Sequence, residues 1–224
     1  MLFRPTLKSI FNILLAIILS TSALAQQADS VKHKFLPTGL RIGTDLISII
    51  QSNLGEKFNG WEVNTDVDIY RYYITFDYGS WSRHTTIPTG NYENSGNYFR
   101  VGTDINFLLK DPDRNMFFLG FRYAQNNFSE QLNYESTDVY NGTVQHELQN
   151  NNMTGRWGEL TAGLRVKIWK GFWMGYTARL KTAPATKGED GFEPYEIPGY
   201  GLAAKKTSWG FNYQIFWRIP LRKI

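Results

Sequence analysis

Cysteine is absent from this chain of 224 residues. Its absence excludes disulfide bonds, thiolate metal sites and the attachment of a lipid to a cysteine after export. Histidine occurs only three times, which leaves few candidates for acid–base catalysis. Lysine and arginine form no cluster of the kind that follows nucleic-acid phosphates. These absences argue against a disulfide scaffold, a lipoprotein and a nucleic-acid-binding protein.

No apolar run has the length of about 20 residues that a transmembrane helix needs. The run Ile10–Leu19 is too short, follows Arg4 and Lys8, and is followed by the small residues of Ala23–Ala25. This pattern predicts a secretory signal over residues 1–25, cleaved before Gln26. Its removal leaves 22 basic and 20 acidic residues, a net charge of +2. Residues 26–38 are polar and are interpreted as a periplasmic lead-in.

Aromatic residues are abundant, with 35 Trp, Tyr and Phe in the chain. The clearest aromatic segment is Trp209–Ile219, in which the odd positions are apolar and most even positions are small, polar or charged. A period of two gives a strand with two different faces. One face is too apolar for water and the other too polar for a protein core. This combination is typical of a transmembrane β-barrel, with lipid outside and a polar lumen.

Seven further segments are predicted to be strands of the same kind. The eight predicted strands are Leu40–Ile50, Trp61–Ile69, Tyr72–Trp81, Tyr98–Leu109, Met116–Asn126, Trp157–Ile168, Phe172–Lys181 and Trp209–Ile219. The connections are short at Tyr70–Arg71, Asp111–Asn115 and Lys170–Gly171, and long at Ser82–Asn97, Asn127–Asn152 and Thr182–Lys206. Outer-membrane barrels have an even number of strands, short periplasmic turns and long extracellular loops.

The predicted fold is therefore an all-β, eight-stranded antiparallel up-and-down transmembrane β-barrel over residues 39–220, with residues 221–224 as a tail. Its short turns and both termini are expected on the periplasmic side, and its long loops outside the cell. A soluble, lipocalin-like ligand-binding barrel is the alternative. Such a barrel would have the opposite polarity, with an apolar cavity and a polar exterior.

The inward positions of the predicted strands form a lumenal charge network with a structural role. Its members are Arg41, Asp45, Glu62, Asp66, Asp68, Asp77, Arg100, Asp104, Arg122, Glu159, Arg165, Lys167, Arg179, Lys181 and Arg218. Strands one to four contribute mostly acids and strands five to eight mostly bases. An eight-stranded barrel is just wide enough for its own side chains, and unpaired charges there would be costly. We therefore expect ion pairs across the lumen; a narrow pore lined by the same charges is the alternative.

Two nearly identical hexapeptides, Arg41–Leu46 and Arg100–Ile105, lie 59 residues apart in the first and fourth predicted strands. Those strands run in opposite directions, so duplication of one hairpin does not explain the match. We interpret the shared Arg, Gly and Asp as residues that fill a crowded lumen, with glycine making room and the charges pairing. A binding motif is the alternative.

With a signal ending at Ala23–Ala25, eight alternating strands and an aromatic last strand, the chain resembles the small outer-membrane β-barrel superfamily. This group comprises the OmpA-, OmpX- and PorT-like barrels of Gram-negative envelopes, and the chain looks most like an uncharacterised branch of unknown function. Such barrels usually end in an aromatic residue, whereas this chain ends in Ile224, with its last aromatic at Trp217. The resemblance implies an outer-membrane location. The implied partners are outer-membrane lipid and lipopolysaccharide, the barrel-assembly machinery, and a larger outer-membrane protein.

Candidates for catalysis are few. His84 lies near Ser80 and Ser82, and His146 lies near Asp138 and Glu147, so an outer-membrane lipid hydrolase with a rim histidine is the alternative. No recognised spacing links these residues. The acids of Asp111–Asn115 lack the spacing of a calcium loop and are interpreted as a turn. We therefore predict no enzymatic activity, no catalytic residues, no metal site and no cofactor.

The favoured hypothesis is a non-enzymatic barrel that serves as an envelope-structural protein, a surface-binding protein or an accessory subunit of a larger outer-membrane complex. The long loops carry aromatic residues among Gly, Asn and Pro, a composition suited to adaptable recognition. These aromatic residues are Tyr92, Tyr134, Tyr140, Phe192, Tyr195 and Tyr200. The alternative is that the loops only cover the mouth of the barrel.

Overall fold

The computed structural model describes residues 35–55, 57–138, 142–188 and 192–222. The predicted signal and most of the lead-in lie outside the described residues. One helix and ten strands occur in the described residues. They are β1 (Gly39–Asp45), α1 (Leu46–Leu54), β2 (Phe58–Ile69), β3 (Tyr72–Ile87), β4 (Gly90–Asn106), β5 (Met116–Asp138), β6 (Gly142–Trp169), β7 (Phe172–Lys187), β8 (Glu196–Ile197), β9 (Gly201–Leu202) and β10 (Thr207–Pro220).

Eight of these strands form one closed antiparallel barrel, in which β1 to β7 pair in chain order and β10 lies between β7 and β1. The closing pair runs in register from Gly39 opposite Pro220 to Asp45 opposite Gln214. The two-residue strands β8 and β9 pair only with each other. The prediction of an all-β fold built on eight antiparallel strands is confirmed.

The two faces of the strands differ in polarity, as the two-residue period predicts. Outward-facing apolar side chains are strongly exposed, for example Ile74 at 50%, Phe121 at 58% and Trp209 at 65%. Inward-facing Arg122 and Arg179 are completely buried. The apolar side chains therefore cover the outside of the barrel, and charged side chains fill much of its interior.

The first predicted strand is wrong in its second half, because β1 ends at Asp45 and residues 46–54 form α1. Asp45 is the N-cap residue of this helix: its Oδ2 accepts hydrogen bonds from the backbone N–H of Ser48 at 3.2 Å and from the Ser48 hydroxyl at 2.6 Å. An N-cap carboxylate satisfies an unpaired N–H group of the first turn and stabilises a helix by about 1 kcal/mol. In the described part of the chain, no helix is long and apolar enough to cross a membrane.

Two of the predicted extracellular loops are instead mostly strand. Strand β3 continues to Ile87, and β4 begins at Gly90 after a two-residue turn. Strand β5 continues to Asp138, and β6 begins at Gly142. These parts of β3–β6 project beyond the barrel as a four-stranded extension, here called the arm (described residues within 82–97 and 127–154). The arm was missed because both of its faces carry polar residues, so its sequence has no apolar alternation.

The three predicted turns are observed. Strands β2 and β3 are joined by Tyr70–Arg71, and β6 and β7 by Lys170–Gly171. Tyr70 and Lys170 have positive φ angles of 61° and 42°, as tight hairpin turns require at such positions. In the Asp111–Asn115 turn, Asp111 Oδ1 accepts hydrogen bonds from the backbone N–H groups of Asp113 and Asn115 at 3.0 and 2.9 Å.

Candidate functional site: the filled lumen

Ten charged side chains meet in the interior of the barrel, and each is at most 3% exposed. Five are cationic and five anionic, so their formal charges cancel. We call this set the lumenal network. Its members are Arg41, Arg100, Arg122, Arg165, Arg179, Glu62, Asp66, Asp77, Asp104 and Glu159. All ten belong to the predicted set of inward charges.

Three ion pairs in the lower half of the lumenal network join strands that are not neighbours. Arg165 on β6 forms an ion pair with Asp66 on β2 at 2.6 Å and with Asp104 on β4 at 3.2 Å. Arg122 on β5 contacts Asp77 on β3 at 2.6 Å and Asp104 at 2.9 Å. Each arginine bonds two carboxylates, so removing one carboxylate leaves a buried arginine with only part of its counter-charge. Breaking a buried ion pair in this way typically costs about 3–5 kcal/mol.

The upper half of the lumenal network is centred on two arginines and two glutamates. Arg179 contacts Glu159 at 3.1 Å and Asp77 at 3.2 Å. Arg100 bonds to Glu159 at 3.0 Å and also to Glu62. Asp77 thus connects the two halves, since it contacts Arg122 below and Arg179 above.

Apolar layers lie below and above the lumenal network, and the sequence did not indicate them. The lower layer is formed by Tyr73, Met116 and Phe118, and the guanidinium of Arg165 lies 4.8 Å from the centre of the Phe118 ring. The upper layer consists of Tyr98, Ala124, Phe128, Met153, Trp157, Ile197 and Tyr200. Aromatic faces attract guanidinium groups, so these layers contribute to holding the arginines as well as excluding water.

The segment Phe192–Lys206, here called the inner loop, folds into the mouth of the barrel. Its residues Ile197 and Tyr200 are at most 1% exposed and belong to the upper apolar layer. The third predicted extracellular loop, Thr182–Lys206, is therefore wrong in two respects. The first part of this segment, up to Lys187, belongs to strand β7. The inner loop packs inside the barrel and does not extend from it.

Polar side chains of the barrel wall hold the inner loop by its backbone carbonyls. Asn126 donates a hydrogen bond to the carbonyl of Pro198 at 2.8 Å. Lys181 donates to the carbonyls of Gly199 and Tyr200 at 2.7 and 3.2 Å. These bonds satisfy backbone groups that would otherwise be buried without partners.

Gly199 allows the inner loop to approach the barrel wall closely. Its φ angle is +83°, and a Cβ atom at this position would lie 2.8 Å from two carbon atoms of the Tyr98 ring. A positive φ and the lack of a Cβ are both conditions that glycine meets without strain. The contact therefore depends on glycine.

Two ionisable pairs lie at the junction of the inner loop and the arm. Glu196 is 3% exposed and contacts Arg83 at 3.0 Å. Burial raises the pKa of Glu196, and the positive charge of Arg83 offsets part of this increase. Tyr92 donates a hydrogen bond to Glu130 at 2.7 Å, and burial together with the Glu130 carboxylate raises the pKa of the Tyr92 hydroxyl.

The other five predicted inward charges lie outside the lumenal network. Asp45 caps α1, and Lys181 holds the inner loop. Asp68 and Arg218 form an ion pair of 2.8 Å between side chains that are 8% and 16% exposed. Lys167 was predicted to face the lumen, but its side chain is 35% exposed and contacts Asp113 of a turn at 2.9 Å. Its long side chain reaches water from the end of β6.

The two histidines considered for catalysis lie on the arm, in separate surroundings. His84 Nδ1 is 3.0 Å from Glu93, and both side chains are largely exposed. His146 Nε2 is 2.7 Å from the Ser136 hydroxyl, and its ring stacks on Tyr134 with centroids 4.8 Å apart. Within the described ranges, no group of three or more His, Asp or Glu residues is arranged to hold a metal ion.

The aromatic residues that were predicted to lie in loops have different environments. Tyr92 and Tyr200 are buried at 4% and 1% exposure, whereas Tyr195 is 58% exposed. The Tyr195 ring contacts that of Tyr92 at 5.3 Å, and Tyr134 lies in β5. The backbone carbonyl of Phe192 accepts a hydrogen bond from Asn150, and Tyr140 lies outside the described residues. Several of these aromatics therefore stabilise the fold.

Comparison with known proteins supplies a family for this chain but no activity. A search of the curated proteins finds no match. A family model described as a domain of unknown function, DUF6048, matches residues 6–224. Because this match covers nearly the whole sequence, the chain belongs to the DUF6048 family.

Proposed function

We propose that the protein is a non-enzymatic outer-membrane β-barrel of the up-and-down type, which does not conduct ions and displays a rigid polar arm outside the cell. The role that fits this architecture is surface binding, as a free protein or as a subunit of a larger outer-membrane complex. One observation carries the proposal: the apolar side chains face outward, around a lumen filled with ion pairs.

The exposed apolar surface, here called the outer belt, has the height that a membrane needs. In β10 it extends over eleven residues from Trp209 to Ile219, which corresponds to a height of about 26 Å for a strand tilted by roughly 40°. The apolar band of outer-membrane barrels is about 25 Å tall. A soluble barrel would gain nothing from exposing so large an apolar surface to water, since such surfaces promote association.

The upper edge of the outer belt is marked by a change from aromatic to polar side chains. Along β3 the outward residues change from Tyr78, 41% exposed, to Ser80. Along β5 they change from Tyr123, 39% exposed, to Gln125. Aromatic girdles lie at the membrane interfaces of such barrels. The polar arm therefore begins where the membrane is expected to end, which supports its position in the extracellular medium.

The filled lumen favours a closed barrel rather than a narrow pore. The lumenal network occupies the middle of the barrel, and the inner loop fills the mouth. Conduction requires a continuous path for hydrated ions, and an eight-stranded barrel has no width to spare for one beside its own side chains. The lipocalin-like alternative has a polar exterior and an apolar cavity, which is the opposite of the distribution seen here.

Four measurements test the proposal. Fractionated cells should contain the protein in the outer membrane, and the purified protein should need detergent or lipid to stay folded and monomeric. Planar bilayers that contain the refolded protein should show no steady ionic current. Protease added to intact cells should cut the arm and leave the outer belt protected. A monomer that folds in plain buffer would overturn the membrane assignment, and a steady current would overturn the closed lumen.

A further inference from the structure

The wall of the barrel has a gap between β2 and β10. The shortest barrel strand, β1, ends at Asp45 opposite Gln214, and its last partner on β2 is Val63. Strand β10 begins at Thr207 and β2 begins at Phe58. The ends of these two strands therefore have no strand between them over residues 207–213 and 58–62. This region is here called the wall gap.

Helix α1 and the end of β1 cover the wall gap and replace the missing strand with side-chain hydrogen bonds. The Ser52 hydroxyl accepts from the N–H of Gly60 at 2.7 Å and donates to its carbonyl at 2.8 Å. Thr44 donates to the carbonyl of Glu62 at 2.8 Å. On the other side, Asp45 accepts from the N–H of Tyr213 at 3.0 Å. Both strand edges are thus partly satisfied by polar residues of this segment.

The helix has its polar side toward the barrel and its apolar side outward. Ser48 and Ser52 are four residues apart and lie on one face, and Leu46, Ile50 and Leu54 lie on the opposite side at the same spacing. Ile50 is 52% exposed and Leu54 is 82% exposed. Helix α1 contains no charged residue and no buried residue. In water, this orientation would expose apolar side chains that could have faced the protein.

The apolar face of α1 adjoins the upper part of the outer belt. The strands on either side of the wall gap carry Trp61 at 44%, Trp209 at 65% and Phe211 at 51% exposure. Tryptophan is enriched at the boundary between the acyl chains and the headgroups of a membrane. An apolar helix face at that depth is typical of helices that lie in the membrane interface.

Behind α1 lies a cavity of about 150 Å³ with a mixed lining, which includes the apolar Ile47 and the polar or charged Gln51, Glu62, Lys181 and Asn212. The barrel side of α1 therefore faces buried charged and polar groups such as Glu62 and Lys181, whereas its outer side is apolar. Lipid on the outside is the occupant that matches this division. Contact with the apolar face lowers the free energy of an acyl chain, whereas entry into the cavity would bury polar groups without hydrogen-bond partners and raise the free energy.

We propose that α1 is an interfacial helix that binds the acyl chains of the outer leaflet through Leu46, Ile50 and Leu54 and thereby seals the wall gap against lipid. This inference rests on the proposed membrane function. It adds a specific lipid-binding surface on α1. The outer belt alone does not imply this surface, since the same barrel could span the membrane with α1 in the water above it.

The absence of cysteine allows single labels to test this inference. Four variants, Ile50→Cys, Leu54→Cys, Ile74→Cys and Asn91→Cys, are labelled with an environment-sensitive fluorophore after refolding of the full chain into phosphatidylcholine vesicles. Quenching by phospholipids with brominated acyl chains is then measured. Ile74 marks the outer belt and Asn91 marks the arm. We expect quenching at positions 50 and 54 to lie within about twofold of that at position 74, and no quenching at position 91.

The outcomes separate the two proposals. Quenching at position 74 with none at positions 50 and 54 overturns the inference and leaves the membrane barrel intact. An absence of quenching at position 74 in a folded protein overturns the proposed function itself. Two positions on α1 are labelled so that failure of one variant to fold, judged by its circular dichroism, leaves the other to decide.

Discussion

Arg122 on β5 and Asp77 on β3 form an ion pair of 2.6 Å in the centre of the barrel, between side chains that are 1% and 3% exposed. Asp77 also contacts Arg179 on β7 at 3.2 Å. A single carboxylate therefore connects three strands, and the free energy of the lumenal network depends strongly on it.

Replacing Asp77 by Asn should destabilise the folded barrel by about 3–5 kcal/mol, because two arginines would lose a buried counter-charge. Urea unfolding of the refolded protein in vesicles measures this change. The matched control is Asp113→Asn, since Asp113 is 61% exposed and pairs with Lys167 at 2.9 Å. Exposed pairs contribute at most about 1 kcal/mol. Equal effects of the two variants would contradict the structural role of the lumenal network.

A charge placed on the outer belt should separate the membrane barrel from its soluble alternative. Phe121 is 58% exposed, and Phe121→Arg should cost up to about 2–4 kcal/mol if this side chain lies near the middle of the membrane. In a soluble barrel the same exposed position would tolerate arginine. Gln131→Arg on the arm is the control and should change the free energy of unfolding by less than about 0.5 kcal/mol. The readout is again urea unfolding in vesicles, and a neutral Phe121→Arg variant would count against the outer belt.

Adding one methyl group to Gly199 should displace the inner loop. The positive φ and the approach to Tyr98 predict a cost of about 1–3 kcal/mol for Gly199→Ala. The expected result is faster hydrogen exchange in residues 192–206, with the strands unchanged. Gly158→Ala is the matched control, since its Cβ would meet nothing closer than 3.7 Å. Unchanged exchange in the Gly199 variant would show that the inner loop does not depend on this contact.

The docking of the inner loop should depend on pH through Glu196. Because burial raises the pKa of Glu196 in the folded protein above its ordinary value of 4.5, the docked loop binds a proton more tightly than the undocked loop. Docking should therefore be strongest below pH 4.5 and should weaken as the pH rises through the folded-state pKa. Hydrogen exchange of the inner loop, corrected for the intrinsic effect of pH, measures this change.

Glu196→Gln is the matched control for this pH dependence. It keeps the shape of the side chain and removes its titration, so exchange of the inner loop should become independent of pH in this range. A pH dependence that persists in the variant would assign the effect to another group. Docking that strengthens with rising pH in the parent protein would show that the ion pair with Arg83 outweighs the cost of burial.

The strands of the barrel could be predicted because each faces two different environments, so its sequence alternates. The same alternation identified all ten members of the lumenal network, although not their partners. The arm escaped prediction because polar residues occur on both of its faces, which leaves no clear apolar period to detect. Cross-strand side-chain contacts, such as the hydrogen bond from Tyr92 to Glu130, add to the backbone ladder that holds these strands in register.

The two similar hexapeptides show why local sequence could not predict α1. In β4, Asp104 accepts hydrogen bonds from Arg122 and Arg165 inside the lumen. In the corresponding place of the other hexapeptide, Asp45 ends β1 and caps α1. The aspartates are equivalent in sequence, but the residues that follow them and the strands around them differ. The inner loop was missed for a related reason, since its burial depends on wall residues that are distant in sequence.

The lumenal network also has a consequence for how the barrel assembles. Strands β1–β4 contribute four of its acids and two of its arginines, and β5–β7 contribute three arginines and one acid. The partners Asp77 and Arg179 are 102 residues apart in the chain. A half-formed sheet would therefore carry surplus negative charge with nothing to neutralise it, so stable folding should require the later strands. Closure is then expected to be a single cooperative step.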